Sequence, residues 1–211
     1  MNHKDKIPNG YKLYHIASTG FRFLAVPCLL FYSVIGFLVI LIEKEVEADA
    51  FFMAFGNALL IIAPFAIVYR ICKRRREKVD AVVSNLRATG QFSPSYEART
   101  FWDTSYMGLD THNGTILYIL IWPGGKYMDV IGFSSRDFLK TEFDPSCNIL
   151  TCNTKLVSFP VVAVKTKSFV QDLIYTMTSR HYEYAEGFFN LVKDKRKELE
   201  KLAGIPIPEV H

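Results

Sequence analysis

Two stretches without a charged residue constrain this chain more than anything else in it. Phe23 to Ile42 reads FLAVPCLLFYSVIGFLVILI, and Ala50 to Tyr69 reads AFFMAFGNALLIIAPFAIVY. A helix needs about 20 apolar residues to cross a hydrocarbon core about 30 Å thick, and both stretches reach that length. Core helices of globular proteins rarely stay uncharged so long. A secretory leader has a shorter apolar region and no second stretch close behind it. The expectation is a transmembrane helical hairpin over residues 23–69, after a short leader over residues 1–22 whose Tyr11 and Tyr14 suit an interface.

Charge gives that hairpin a direction. The connection Glu43-Lys44-Glu45-Val46-Glu47-Ala48-Asp49 is acidic. Lys4, Lys6, Lys12 and Arg22 precede the first stretch, and Arg70, Lys73, Arg74, Arg75, Arg76 and Lys78 follow the second. The positive-inside rule places both termini in the cytoplasm and predicts the bacterial inner membrane as the location. The second basic group is the candidate site. It reads as a membrane-proximal cluster, drawn to anionic lipid headgroups by about 1 kcal/mol per residue near the surface. The net charge of +4 does not indicate nucleic acid, because no aromatic residues are interleaved with this cluster and no nucleic-acid motif is present.

The chemistry-bearing residues do not assemble into a site. Cys147 and Cys152 stand five apart in a region assigned to the reducing cytosol, where thiols stay free. No CxxC or His pair completes a zinc set with them. Asp110-Thr111-His112 pairs an acid with an imidazole, but both favour turns, and Asn113-Gly114 beside them is a strong turn signal. Gly124-Gly125-Lys126 lacks the full phosphate-loop spacing. Ser134-Ser135 has no glycine elbow. The sequence predicts no catalytic residue, no metal and no cofactor.

Past the second stretch the helical period continues through Val79, Val82, Val83 and Leu86, and Gly90 is the natural stop. This predicts a basic juxtamembrane helix over residues 70–90 and a cytoplasmic domain over residues 91–211. Within that domain the period shortens to that of strands. Candidates are Phe101–Leu109, Thr115–Trp122, Tyr127–Phe133, Leu139–Phe143, Ile149–Asn153, Val157–Lys165 and Leu173–Thr178, with turn signals roughly every ten residues. Tyr106, Tyr118, Trp122, Tyr127, Phe133 and Phe138 make the sheet aromatic, as expected of a small core. Tyr182 to Leu202 has the pattern of one amphipathic helix, ended by Gly204. The predicted class is α+β: a transmembrane helical hairpin, then a small mainly antiparallel β domain closed by a C-terminal amphipathic helix. That order of elements resembles pleckstrin-homology-like modules.

The segment KIPNGYKLYHIASTGFRFLAVPCLLFYSVIGFLVILIEKE, with the plan of a membrane hairpin and a C-terminal domain, resembles the surface-exclusion proteins of IncI-type conjugative plasmids. The resemblance implies a non-enzymatic protein of the recipient cell that blocks redundant transfer of the same plasmid. It implies two partners, membrane lipids and a membrane protein of the incoming transfer apparatus. The alternative of a different class is a membrane-tethered regulatory or lipid-sensing module.

Overall fold

The computed structural model describes residues 26–42, 48–100, 104–122, 124–182 and 187–209. The chain divides into two compact units, Met1–Lys73 and Arg74–His211. The leader over residues 1–22, most of the acidic connection and Tyr184 and Ala185 of the expected final helix lie outside the described residues.

In the first unit the two apolar stretches are helical, but they do not form a membrane-spanning hairpin. The first becomes α1, Val26–Ile42, of 17 residues. The second is the opening part of α2, Ala48–Arg87, of 40 residues. Arg, Lys and Glu are good helix formers, so the basic segment continues the helix instead of ending it. Among the described residues no helix is long and apolar enough to cross a membrane. This overturns the hairpin expected over residues 23–69. The described side chains of this unit include exposed Phe31, Tyr32, Ile62, Phe65 and Tyr69.

The second unit is built on two antiparallel sheets. The first has the order β1-β2-β3-β4, from Tyr96–Arg99, Ser105–Asp110, Thr115–Ile121 and Met128–Ser134. The second has the order β5-β6-β7, from Phe138–Asp144, Ile149–Thr154 and Val161–Lys165. A single 3-10 turn, Ser135–Asp137, joins them, closed by a capping box between Ser134 and Asp137. Both sheets are meanders, because each strand pairs antiparallel with the next one in the chain. At the β2–β3 turn Gly114 has φ +69°, a conformation in which a Cβ would be strained.

Side-chain alternation gives the first sheet two buried faces. Tyr106, Leu117, Ile119, Met128 and Val130 point to one side. They meet Val79, Val82, Val83 and Leu86 of α2, together with Phe188, Val192 and Leu199. Each fully buried aliphatic chain contributes about 1.5–3 kcal/mol, so the last turns of α2 are part of this core. Met107, Leu109, Ile116, Ile131 and Phe133 point to the other side. They meet Leu150, Cys152, Val162 and Val164 of the second sheet and Val170, Ile174 and Met177.

Strands 2 to 6 lie close to where the alternation predicts them, while 101–103 fall outside the described residues. Three expectations change. Leu173–Thr178 is not a strand but the end of a helix, α3, Phe169–Thr178. Val170, Ile174 and Met177 recur at helical spacing and are buried together. Strand β7 begins at Val161, because residues 155–160 form a turn. The expected single C-terminal helix is two, α4 (Phe188–Asp194) and α5 (Arg196–Ala203), broken at Lys195. Gly204 ends α5 in the left-handed conformation, as expected of a C-cap glycine.

Candidate recognition surface

The basic residues picked out from sequence all sit on α2, but they do not form one surface of one unit. Arg70 and Lys73 belong to the first unit and are exposed. Arg74, Arg75, Arg76 and Lys78 belong to the second. There Arg74 and Arg76 are exposed, while Arg75 and Lys78 are half-buried next to the start of the apolar stripe at Val79. Their stems can cover that stripe while the charged heads stay in water.

Within the second unit, polar ties hold the end of α2 to β1 and α5. Arg99 on β1 pairs with Asp80 at 2.6 Å, and Arg87 pairs with Glu97. The Arg99 guanidinium lies 5.1 Å from the centre of the Tyr106 ring, within cation–π range. Burial works against the charge on Arg99, yet Asp80 and Glu97 raise its pKa on balance. Burial pushes the Tyr106 phenol upward, with Glu97 adding to it. Asn85 Nδ2 donates to Glu198 Oε1 at 2.7 Å and so ties α2 to α5. Sequence reading missed this network because its partners are far apart in the chain.

The Asp110-Thr111-His112 segment is a structural turn. The buried Asp110 carboxylate accepts from the backbone N–H groups of Ser93, His112 and Asn113, at 2.6, 2.9 and 3.0 Å. It also accepts from Asn113 Nδ2 at 2.8 Å. Its capacity is spent on shaping two loops, and His112 is exposed. Of the six sheet aromatics, Tyr106, Tyr118, Trp122, Phe133 and Phe138 are buried and Tyr127 is exposed. Trp122 Nε1 donates to the buried Asp129 at 2.6 Å.

Cys147 is exposed in the β5–β6 turn, where its thiol donates to Asp144 Oδ2 at 3.1 Å. Cys152 is buried, and burial pushes its thiol up to about 12. The two are not bonded to each other. Among the described residues no group of three or more His, Cys, Asp or Glu side chains converges on a metal position.

A cleft of about 340 Å³ lies between β4, the two last helices and the C-terminal tail. Val130, Gly132, Val192, Leu199 and Ile207 make its apolar floor. Lys193, Asp194, Arg196, Lys197 and Glu209 make its rim. Arg196 donates to the Ile207 carbonyl at 3.0 Å and pairs with Glu209 at 2.7 Å, which holds the tail in place. A Cβ at Gly132 would stand 2.8 Å from the Phe188 ring and 2.9 Å from the Phe188 carbonyl, so only glycine lets α4 approach β4. A glycine inside a strand is the sequence signal for such an approach.

A family model described as exclusion-determining protein matches residues 9–211. No curated protein and no solved structure matches the chain.

Proposed function

From the premise that the chain belongs to the exclusion-determining protein family, we propose that it is a non-enzymatic recognition protein that lowers the frequency with which its host receives a related conjugative plasmid. The match over residues 9–211 carries this reading, because it takes in the helical unit and the β unit together. The family is named for exclusion and not for a catalysed reaction. Specificity then rests on a surface complementary to one partner, so related plasmids are excluded and unrelated ones admitted. The partner in this reading is a membrane protein of the incoming transfer apparatus.

The place of action in this reading is the cytoplasmic face of the inner membrane, with both termini on that side. Support comes from the exposed apolar side chains of the first unit and from the cations at Arg70 and Lys73. Exposed apolar surface of this kind marks contact with protein or lipid, and cations near an anionic leaflet are attracted to it. Holding the chain beside a membrane partner raises their effective concentration.

The test is expression of the chain alone in recipient cells, followed by counts of transconjugants for a cognate and an unrelated plasmid. The expected result is a drop for the cognate plasmid only. Unchanged cognate transfer, with the protein present in the recipient, overturns the reading and favours a regulatory or lipid-sensing role.

A further inference from the structure

Strand register gives the second unit two unlike ends. Helix α2 enters at one of them. Asp80 is paired with Arg99 at 2.6 Å, and Arg99 is the last residue of β1. Arg87 is paired with Glu97, nearer the start of that strand. The β3–β4 turn lies at the end where α2 enters, because Arg99 stands opposite Tyr106, and Leu120 stands opposite Ser105 at the start of β2. Ile121 and Met128 then pair at the base of the turn. At the opposite end the Thr115 hydroxyl donates to the Gln91 carbonyl at 3.4 Å. The Ser135 N–H donates there to the Gly114 carbonyl at 3.0 Å, and the Lys155 N–H to the Asp137 carbonyl at 2.8 Å. Val157, in the β6–β7 turn at that opposite end, is 93% exposed.

The β3–β4 turn is a firmly built projection. The Gly125 N–H donates to the Trp122 carbonyl at 2.8 Å, and the Trp122 N–H to the Tyr127 carbonyl at 3.0 Å. Gly124 and Gly125 have φ +94° and +69°, a region that favours glycine. At its base Trp122 is buried, with its indole N–H held by Asp129. Lys126 and Tyr127 are the exposed side chains of the turn, Tyr127 at 45%. Arg74 precedes Asp80 by six residues, about 9 Å along a helix axis, and Arg74 and Arg76 are exposed. Residues 74–79 and 124–128 together carry Arg74, Arg75, Arg76, Lys78 and Lys126 against one acid, Glu77. This end of the unit therefore combines positive charge with an exposed aromatic residue.

We propose that the β3–β4 turn is a membrane-contact element, with Lys126 and Tyr127 seated in the headgroup layer of an anionic leaflet beside the start of α2. Tyrosine suits that depth because its ring is apolar and its hydroxyl is wet. The lysine stem lies along the apolar boundary while its ammonium stays among the phosphates. Arg74 and Arg76 add to the attraction from the neighbouring helix. The contact gives the unit a fixed orientation, with the β6–β7 turn directed away from the lipid. The proposal rests on the reading that places the chain at the inner membrane, and it adds a contact separate from the cations at Arg70 and Lys73.

The experiment mixes the full-length chain with vesicles of phosphatidylethanolamine and phosphatidylglycerol. One variant carries the photo-crosslinker benzoylphenylalanine in place of Tyr127, and a second carries it in place of Val157. Both positions are exposed, so the fold tolerates the change. Flotation reads association with the vesicles, and mass spectrometry after illumination reads lipid adducts. The expected outcome is an adduct yield at position 127 about tenfold or more above that at position 157. Adding Lys126→Glu, or exchanging the phosphatidylglycerol for phosphatidylcholine, should lower the yield at 127 about fivefold or more. Equal yields at the two positions, no adduct at 127, or a yield unmoved by both changes overturns the proposal. A chain that floats without preferring position 127 defeats this proposal alone. A chain that does not float defeats the membrane placement and this proposal with it. Loss of exclusion in mating defeats the exclusion reading and leaves the lipid result standing.

Discussion

The Met128 N–H donates to the Pro206 carbonyl at 3.1 Å across 78 positions of sequence, and this bond attaches the C-terminal tail to the edge of a sheet formed much earlier in the chain. Ile205 and Ile207 flank the bond and are 4% and 3% exposed. The tail is therefore a core element.

Truncation of those isoleucines should be costly. Ile207→Ala removes a buried side chain from the cleft floor and should lower stability by about 2–5 kcal/mol. Ile205→Ala should do the same. Urea denaturation of the full-length chain measures both. A loss below roughly 0.5 kcal/mol, the range of ordinary surface substitutions, would show that the tail is not packed.

The tie between α2 and α5 should depend on pH. The Asn85 amide, followed by Lys195, holds the fully exposed Glu198 carboxyl below its ordinary value of 4.5. A carboxyl lowered in the folded state adds stability that is complete above its unfolded value and is lost as pH falls through the folded one. Wild type should be more stable than Glu198→Gln at neutral pH, and the gap should close as pH falls below about 4.5. Thermal denaturation over pH 7 to 3 reads this. A gap that stays constant across the series would show that the ionised form contributes nothing.

The two thiols of the β unit should differ sharply in reactivity. Cys147 is exposed, whereas Cys152 is buried with its thiol pushed up to about 12. The thiolate is the reactive species, so a maleimide at pH 8 should label Cys147 quickly and Cys152 only after denaturation. Mass spectrometry of the labelled peptides settles it. Fast labelling of Cys152 in the native protein would contradict its place between the sheets.

The elements that could be read from sequence were those with a local cause. Asn113-Gly114 marks a turn because glycine adopts positive φ freely, and the turn is there. The β-branched and aromatic run from Thr115 to Ile121, set between two turn signals, marks a strand, and β3 lies there. Leu173–Thr178 reads as a strand from sequence because a short apolar run fits either period. Burial of Val170 and Ile174 against the second sheet settled it as a helix. The candidate basic cluster was visible as composition, but the division of its residues between two units was not.

Sequence by itself determined where helices and strands could form, which turns needed glycine, and that a long apolar and basic helical region precedes a β unit. Those properties depend on neighbours within a few residues. Tertiary structure decided that the end of the long basic helix is buried by the first sheet. It also decided that β4 is buried along its whole length. These follow from strand register and from contacts between residues distant in the chain, such as Met128 with Pro206 and Asp80 with Arg99. No local pattern encodes such a contact, because its free energy exists only once both partners have been brought together.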